Sequence, residues 1–143
     1  MLVKQISVFL ENKAGRLAEV ARILANSNID IRALSIADTT DFGILRLIVN
    51  KPDNAERILK DNGFTVSCTD VIAIAVPDKP GGLDSALSAL DKESLGIEYM
   101  YAFVSKSSNE AIVILRVEKS EEAIKALQKN NIKVLPSNSI YSL

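Results

Sequence analysis

One short stretch of this chain occurs twice, and that repetition limits the fold more than any other feature. Leu10 to Leu17 reads L-E-N-K-A-G-R-L and Val76 to Leu83 reads V-P-D-K-P-G-G-L, so Gly81 stands 66 positions after Gly15. The match continues downstream. Leu17, Val20, Ala21 and Leu24 fall at i, i+3, i+4 and i+7, the spacing of one helix face. Leu83, Ala86, Leu87 and Leu90 repeat that spacing. Later the offset becomes 68, with Ala55 matching Ala123, Leu59 matching Leu127 and Val66 matching Val134. A chain copied in this way is expected to fold as two alike units, residues 1–69 and 70–143.

The patterning gives each unit the same element order. Lys4 to Leu10 alternates, with Ile6, Val8 and Leu10 on one side, which predicts a half-buried strand. The glycine loop leads into the first helix, ended by Asn26-Ser27-Asn28. Ile29 to Asp38 reads as a second strand, Thr39-Thr40-Asp41 as a turn, and Ile44 to Val49 as a central strand. Pro52 suits a first helical turn, Glu56 and Lys60 form a supportive i, i+4 pair, and Gly63 suits the left-handed residue after a helix. Phe64 to Cys68 closes the unit. Val71 to Val76 starts the second, followed by the helix from Leu83, a strand over 97–104, a turn over 105–109 and Ile112 to Val117. Ser120 is read as the cap of a helix reaching Asn130, with Glu121 and Glu122 in its positive first turn. Ile132 to Leu135 is the last strand. The order βαββαβ, met twice, predicts an α+β fold of two ferredoxin-like units in tandem. Each has an antiparallel sheet with helices on one face. The bare faces and edges are expected to be managed by pairing the sheets.

Composition removes whole classes of function. The formal net charge is -1, without the positive surplus that nucleic-acid binding usually needs. The chain has no histidine, the commonest general base and zinc ligand. Cys68 is the one cysteine, so no internal disulfide forms, and it reads as a half-buried strand residue. Asp38, Asp41 and Asp84 are scattered without a metal-binding pattern, and Asp84 reads as support for a first helical turn. No metal or cofactor is expected. No apolar run approaches a membrane span, and Met1-Leu2-Val3-Lys4 lacks the pattern of a signal peptide. The expected setting is the cytoplasm, with neither nucleic acid nor membrane as partner.

A strand-to-helix loop gathers the first unpaired N–H groups of the helix, and the helix dipole favours an anion there. Gly15 and Gly81 allow a tight turn and close approach of a guest. The bland alternative is turn chemistry alone, since Asn, Gly and Pro populate any loop. Lys13, Arg16 and Lys79 are either solvated charges or help to draw in the anion. Tyr99, Tyr101 and Phe103 alternate and share a strand face; their counterparts Ala33, Ser35 and Ala37 are small, which favours complementary packing over base stacking.

The pattern Asn/Asp-x-x-Gly-x-Leu between a first strand and an amphipathic helix resembles the ACT domain family. It stands here as Asn12-Lys13-Ala14-Gly15-Arg16-Leu17 and Asp78-Lys79-Pro80-Gly81-Gly82-Leu83. Asn28-Ile29, where the first helix hands over to the second strand, adds to the likeness, which covers the whole chain as two units. The resemblance implies a regulatory module that binds a free amino acid where two domains pair and acts on an attached or partner enzyme of amino-acid metabolism. It implies that Asn12 meets the amino acid's polar backbone. The N–H groups around Ala14 to Leu17 would receive its carboxylate, and Asn28 and Ile29 would contact it from the strand start. In the second unit Asp78 replaces Asn12 and Ser94 replaces Asn28. The implied contacts there are Asp78, Pro80, Gly81, Gly82, Leu83 and Ser94, in a weaker site. A homodimer without catalytic activity is expected. Two alternatives stay open: an interaction module whose vacant pockets serve pairing only, and a small hydrolase of acylphosphatase type, for which the arginine cradle is missing.

Overall fold

A computed structural model of the protein describes residues 1–38, 41–103 and 109–143. Its elements run β1 (Val3–Glu11), α1 (Arg16–Asn26), β2 (Ile31–Asp38), β3 (Phe42–Val49), α2 (Pro52–Asp61), β4 (Thr65–Pro77), α3 (Gly82–Lys92), β5 (Ile97–Ala102), β6 (Glu110–Val117), α4 (Ser120–Lys129), β7 (Lys133–Val134) and α5 (Ser137–Tyr141). The chain divides into two compact units: Lys4–Thr69 with Tyr141–Leu143, and Met1–Val3 with Asp70–Ile140. Each is a ferredoxin-like βαββαβ arrangement with antiparallel strand pairs, as its element order predicts.

In the first unit the strand order is β2-β3-β1-β4. Val8 faces Leu45 and Ile6 faces Leu47 across β1 and β3, so these four residues share one face of the sheet. They form the core with Val20 and Leu24 of α1 and Ala55 and Leu59 of α2. The second unit repeats this. There β6 lies between β4 and β5, and β7 pairs with β4. Ile72, Ile74, Val113 and Leu115 pack with Ala86, Leu90, Ala123 and Leu127. The opposite face of the first sheet carries Gln5, Ser7, Ala33 and Ile48, all buried, with Gln5 Nε2 donating to Ser7 Oγ at 3.2 Å. In the second unit Tyr99 and Tyr101 pair with Arg116 and Ile114, so the two tyrosines do share a face.

All four long helices stop in the same way. The residue after the cap is left-handed: Asn28 (φ 56), Gly63 (φ 87), Ser94 (φ 56) and Asn131 (φ 61). The next N–H reaches back to close each end, as from Ile29 to Leu24 at 2.9 Å and from Leu95 to Leu90 at 3.0 Å. This is the Schellman ending, which seats Gly or Asn because a Cβ is strained there.

Several expected details differ. β4 is one strand of 13 residues, where the sequence suggested a stop at Cys68 and a new start at Val71. The polar Thr69-Asp70 pair interrupts the apolar pattern without breaking the strand. The last strand is the two residues Lys133–Val134, because Pro136 has no N–H to extend the ladder. Ser120 is the first helical residue of α4, whose cap position is Lys119, and no side chain caps that end. Glu56 and Lys60 pair at 3.2 Å as expected. The periodicity gave no sign of α5. Its Tyr141 belongs to the first unit, where the hydroxyl accepts from the Lys4 N–H at 2.8 Å and the carbonyl accepts from Arg32 at 3.3 Å. The turns expected at Thr39-Thr40 and 105–108, and the strand end at Val104, lie outside the described residues.

Ser94 carries the left-handed strain that Gly63 avoids. Replacing Ser94 by glycine raises stability by about 0.5 kcal/mol, and replacing it by isoleucine costs about 1–2 kcal/mol. The urea midpoint of each variant measures this.

Candidate functional site

The two glycine loops have nearly the same backbone. Gly15 has φ 89 and ψ -12, and Gly81 has φ 89 and ψ -11. In the first loop, Asn12 N donates to Asp41 O at 3.2 Å, Lys13 N to Glu11 O at 2.7 Å, Arg16 N to Lys13 O at 3.4 Å and Glu19 N to Gly15 O at 2.9 Å. In the second, Asp78 N donates to Asn109 O, Lys79 N to Pro77 O, Gly82 N to Lys79 O and Ser85 N to Gly81 O, all between 2.8 and 3.1 Å. The same donors are therefore used in both. Those of Ala14, Gly15 and Leu17 take no hydrogen bond among the described residues. The cap positions of α1 and α3 are Gly15 and Gly81, which have no side chain with which to cap the first helical turn.

The site is open. Asn12 to Gly15 are all exposed, and a Cβ built on Gly15 or Gly81 meets nothing within 4 Å. Glycine is therefore required for its left-handed φ and not to avoid the chain's own atoms. Leu17 and Leu83, expected in the cores, are 42% and 37% exposed. Ala21 is exposed as well, so the buried stripe of α1 is Val20 and Leu24 with Ile23 at its edge. Each loop thus ends in an apolar side chain facing solvent beside unpaired amides.

The copies differ in three ways that matter. Pro80 stands where Ala14 stands, so the second loop lacks one of the free N–H donors. Gly82 replaces Arg16, and a Cβ there would lie 2.0 Å from the Pro77 carbonyl oxygen, so the second loop is drawn tighter. The third difference is charge. Lys13 Nζ pairs with Glu11 at 2.8 Å and Arg16 Nη1 with Glu19 at 2.9 Å. The Lys13 ammonium donating to Glu11 holds that carboxyl below its usual range. Arg16 also stacks over the Phe64 ring at 4.5 Å.

Asn28 and Ile29 are not beside the loop of their own unit. They follow the far end of α1, whose 11 residues span roughly 16 Å. Asn28 is exposed and left-handed, its carbonyl accepts from Lys51 Nζ at 3.2 Å, and Ile29 is in the core. Ser94 stands likewise after α3, on a cavity of about 370 Å³ with Gly96, Glu98, Glu118 and Lys119. Of the expected site residues, each unit brings together only its loop set.

Other reactive groups offer little chemistry. Burial, and then the Glu56 carboxylate beside it, push the Cys68 thiol up to about 11. Among the described residues no group of three or more His, Cys, Asp or Glu side chains could hold a metal ion, and no helix is long and apolar enough to cross a membrane.

Comparison with known proteins agrees with this architecture. A family model described as an ACT domain pair matches residues 1–143. Among solved structures the chain is similar to protein BT0572 from Bacteroides thetaiotaomicron, at 45% identity over 100% of this chain and 98% of that one, with a TM-score of 0.94. It is similar in fold alone to the ligand-free regulatory subunit of aspartate kinase from Thermus thermophilus, at 17% identity over 90% and 93% of the two chains, with a TM-score of 0.67. The same subunit from Thermus flavus gives 16% identity, 90% and 92% coverage and a TM-score of 0.61. No curated protein matches.

Two outcomes follow for the loops and the thiol. Gly82→Ala destabilises by about 1–3 kcal/mol through its clash with Pro77, whereas Gly15→Ala meets open space and costs about 1–2 kcal/mol for its backbone alone. Thermal unfolding ranks them. At pH 8 iodoacetamide alkylates Cys68 about 100-fold more slowly in the folded protein than in urea, because the thiolate fraction falls as the pKa rises.

Proposed function

The chain belongs to the ACT domain family, as an ACT domain pair over residues 1–143, and from that premise we propose that it binds a free amino acid at the glycine loop of its first unit. In this reading it works in the cytoplasm as a sensor or regulatory subunit and performs no reaction on its ligand. The observation that carries the reading is that the amides of Ala14, Gly15 and Leu17 have no hydrogen-bond partner among the described residues. They stand at the positive end of α1, where a carboxylate is favoured by both hydrogen bonding and the helix dipole. Asn12 offers a side-chain carbonyl to the ammonium group. Exposed Leu17 offers an apolar wall to the side chain.

The second loop is the weaker of the two in this account. Pro80 removes a donor, and Asp78, at the position of Asn12, adds a negative charge that repels the nearby carboxylate even as it attracts the ammonium. Unequal occupancy is the consequence. As partners we propose a second copy of the chain and an enzyme of amino-acid metabolism. The likeness to aspartate kinase subunits is one of fold and does not choose among such enzymes.

Isothermal titration with the common amino acids at millimolar concentration tests the reading, and at least one is expected to bind. Silence from all of them would leave only a pairing role for the loops. Ala14→Pro copies the residue already present in the second loop, so the backbone tolerates it, yet it removes one amide donor. A charge-assisted hydrogen bond contributes about 1.5–3 kcal/mol, so affinity is expected to fall tenfold or more. An unchanged affinity would contradict the role of that amide.

A further inference from the structure

The chain has four phenylalanines, and three of them, Phe9, Phe42 and Phe64, line one cavity of about 350 Å³ in the first unit. Leu10, Glu11 and Arg16 complete its main walls. The cavity lies at the end of the sheet where β1 stops, β3 starts and β4 starts, and a volume near the low end of ligand pockets suits a small molecule. Phe9 and Phe42 are 47% and 52% exposed, far more than core aromatics. They are diagonal neighbours, since Phe9 pairs with Ile44 and Glu11 with Phe42. Arg16 presents a guanidinium whose Nη1 is held by Glu19 and whose face lies over Phe64. Its Nε is shielded from solvent and has no hydrogen-bond partner among the described residues. A shielded donor without an acceptor is a cost that an incoming carboxylate would relieve. Glu11, the one acid on the wall, is compensated by Lys13 at 2.8 Å.

The internal copy acts as a control. The matching positions in the second unit are Ala75 for Phe9, Gly82 for Arg16, Glu110 for Phe42 and Ile132 for Phe64. Glu110 pairs with Pro77 on β4 as Phe42 pairs with Glu11 on β1, so the correspondence is structural. There, Lys133 and Glu110 form an ion pair at 3.6 Å, and no aromatic ring or arginine stands at these positions. Phe64 is 5% exposed and belongs to the core, where Ile132 takes its place in the second unit. The exposed Phe9 and Phe42 and the arginine have no like counterpart, so the fold of the unit does not require those three. Both units keep the same core pattern, while these wall positions have diverged.

We propose that this cavity is a binding site for a small aryl carboxylate, with the ring among Phe9, Phe42 and Phe64 and the carboxylate at the Arg16 guanidinium. Offset and edge-to-face contacts favour an aromatic guest among aromatic walls, and the arginine fork favours a planar carboxylate. The site uses the Arg16 side chain, not the free loop amides, so it stands apart from the amino-acid reading.

The test is titration of the full chain with phenylacetate, followed by amide NMR and calorimetry, beside glycine as a probe of the loop. Phenylacetate is expected to bind at millimolar concentration or better and to shift the amides of Phe9, Phe42, Gly63 and Phe64. Phe42→Glu, which copies the second unit, and Arg16→Gln are each expected to weaken it tenfold or more with a native spectrum retained. Ala14→Pro should leave phenylacetate affinity unchanged. No shift with phenylacetate, or wild-type affinity in Phe42→Glu, would overturn the site. If an amino acid binds while phenylacetate is silent, this site falls and the loop reading stands. If phenylacetate binds and every amino acid is silent, the reverse holds.

Discussion

A strand that turns into a helix through a left-handed glycine leaves backbone donors with nothing to bind. Gly15 and Gly81 make that turn at φ 89, an angle at which a Cβ is strained. The turn spends the N–H groups of residues 13, 16 and 19 on the loop itself and that of Asn12 on the Asp41 carbonyl, and leaves Ala14, Gly15 and Leu17 unspent among the described residues. Exposed donors cost little in water, so the free protein tolerates them. The same donors become useful once a carboxylate replaces that water. The rest of the unit serves this arrangement. The core of Ile6, Val8, Leu45 and Leu47 holds β1 still, and Val20 and Leu24 hold α1 against it.

Duplication separates what the fold needs from what it does not. The left-handed glycine, the closed helix ends and the alternating core recur in both units. Other positions do not: Phe9, Arg16, Phe42 and Phe64 correspond in sequence to Ala75, Gly82, Glu110 and Ile132. Gly82 shows how such a change constrains its neighbours. With the loop pulled to where a Cβ would meet the Pro77 carbonyl at 2.0 Å, a side chain can return at that position only if the backbone shifts. The first loop kept its arginine and its extra amide, and its chemistry is the richer of the two.

Much of the fold is legible in the sequence because its causes are local. Alternation places Ile6, Val8 and Leu10 on one face, Pro52 starts α2, and Gly63 ends it, each through a rule that needs no distant contact. What escapes the sequence depends on the assembled unit. Leu17 and Leu83 fit the helical period yet sit in the first turn, beyond the sheet that would cover them. Asn28, which the motif singles out as a ligand contact, is also the left-handed stop of α1, at the helix end remote from Gly15, a placement no local pattern shows. The docking of Tyr141 on Lys4 joins residues from opposite ends of the chain, which no periodicity records. The phenylalanine cluster is scattered over three strand ends in sequence. It could have been suspected only by asking where the two copies disagree.

The central claim is that the unspent amides of the first loop receive a carboxylate. Amide NMR during titration with an amino acid that binds addresses it most directly, residue by residue. The account predicts the largest shifts at Ala14, Gly15 and Leu17, with smaller ones at Gly81 and Leu83 because Pro80 leaves that loop a donor short. Shifts confined to other segments, or equal shifts in the two loops, would contradict it.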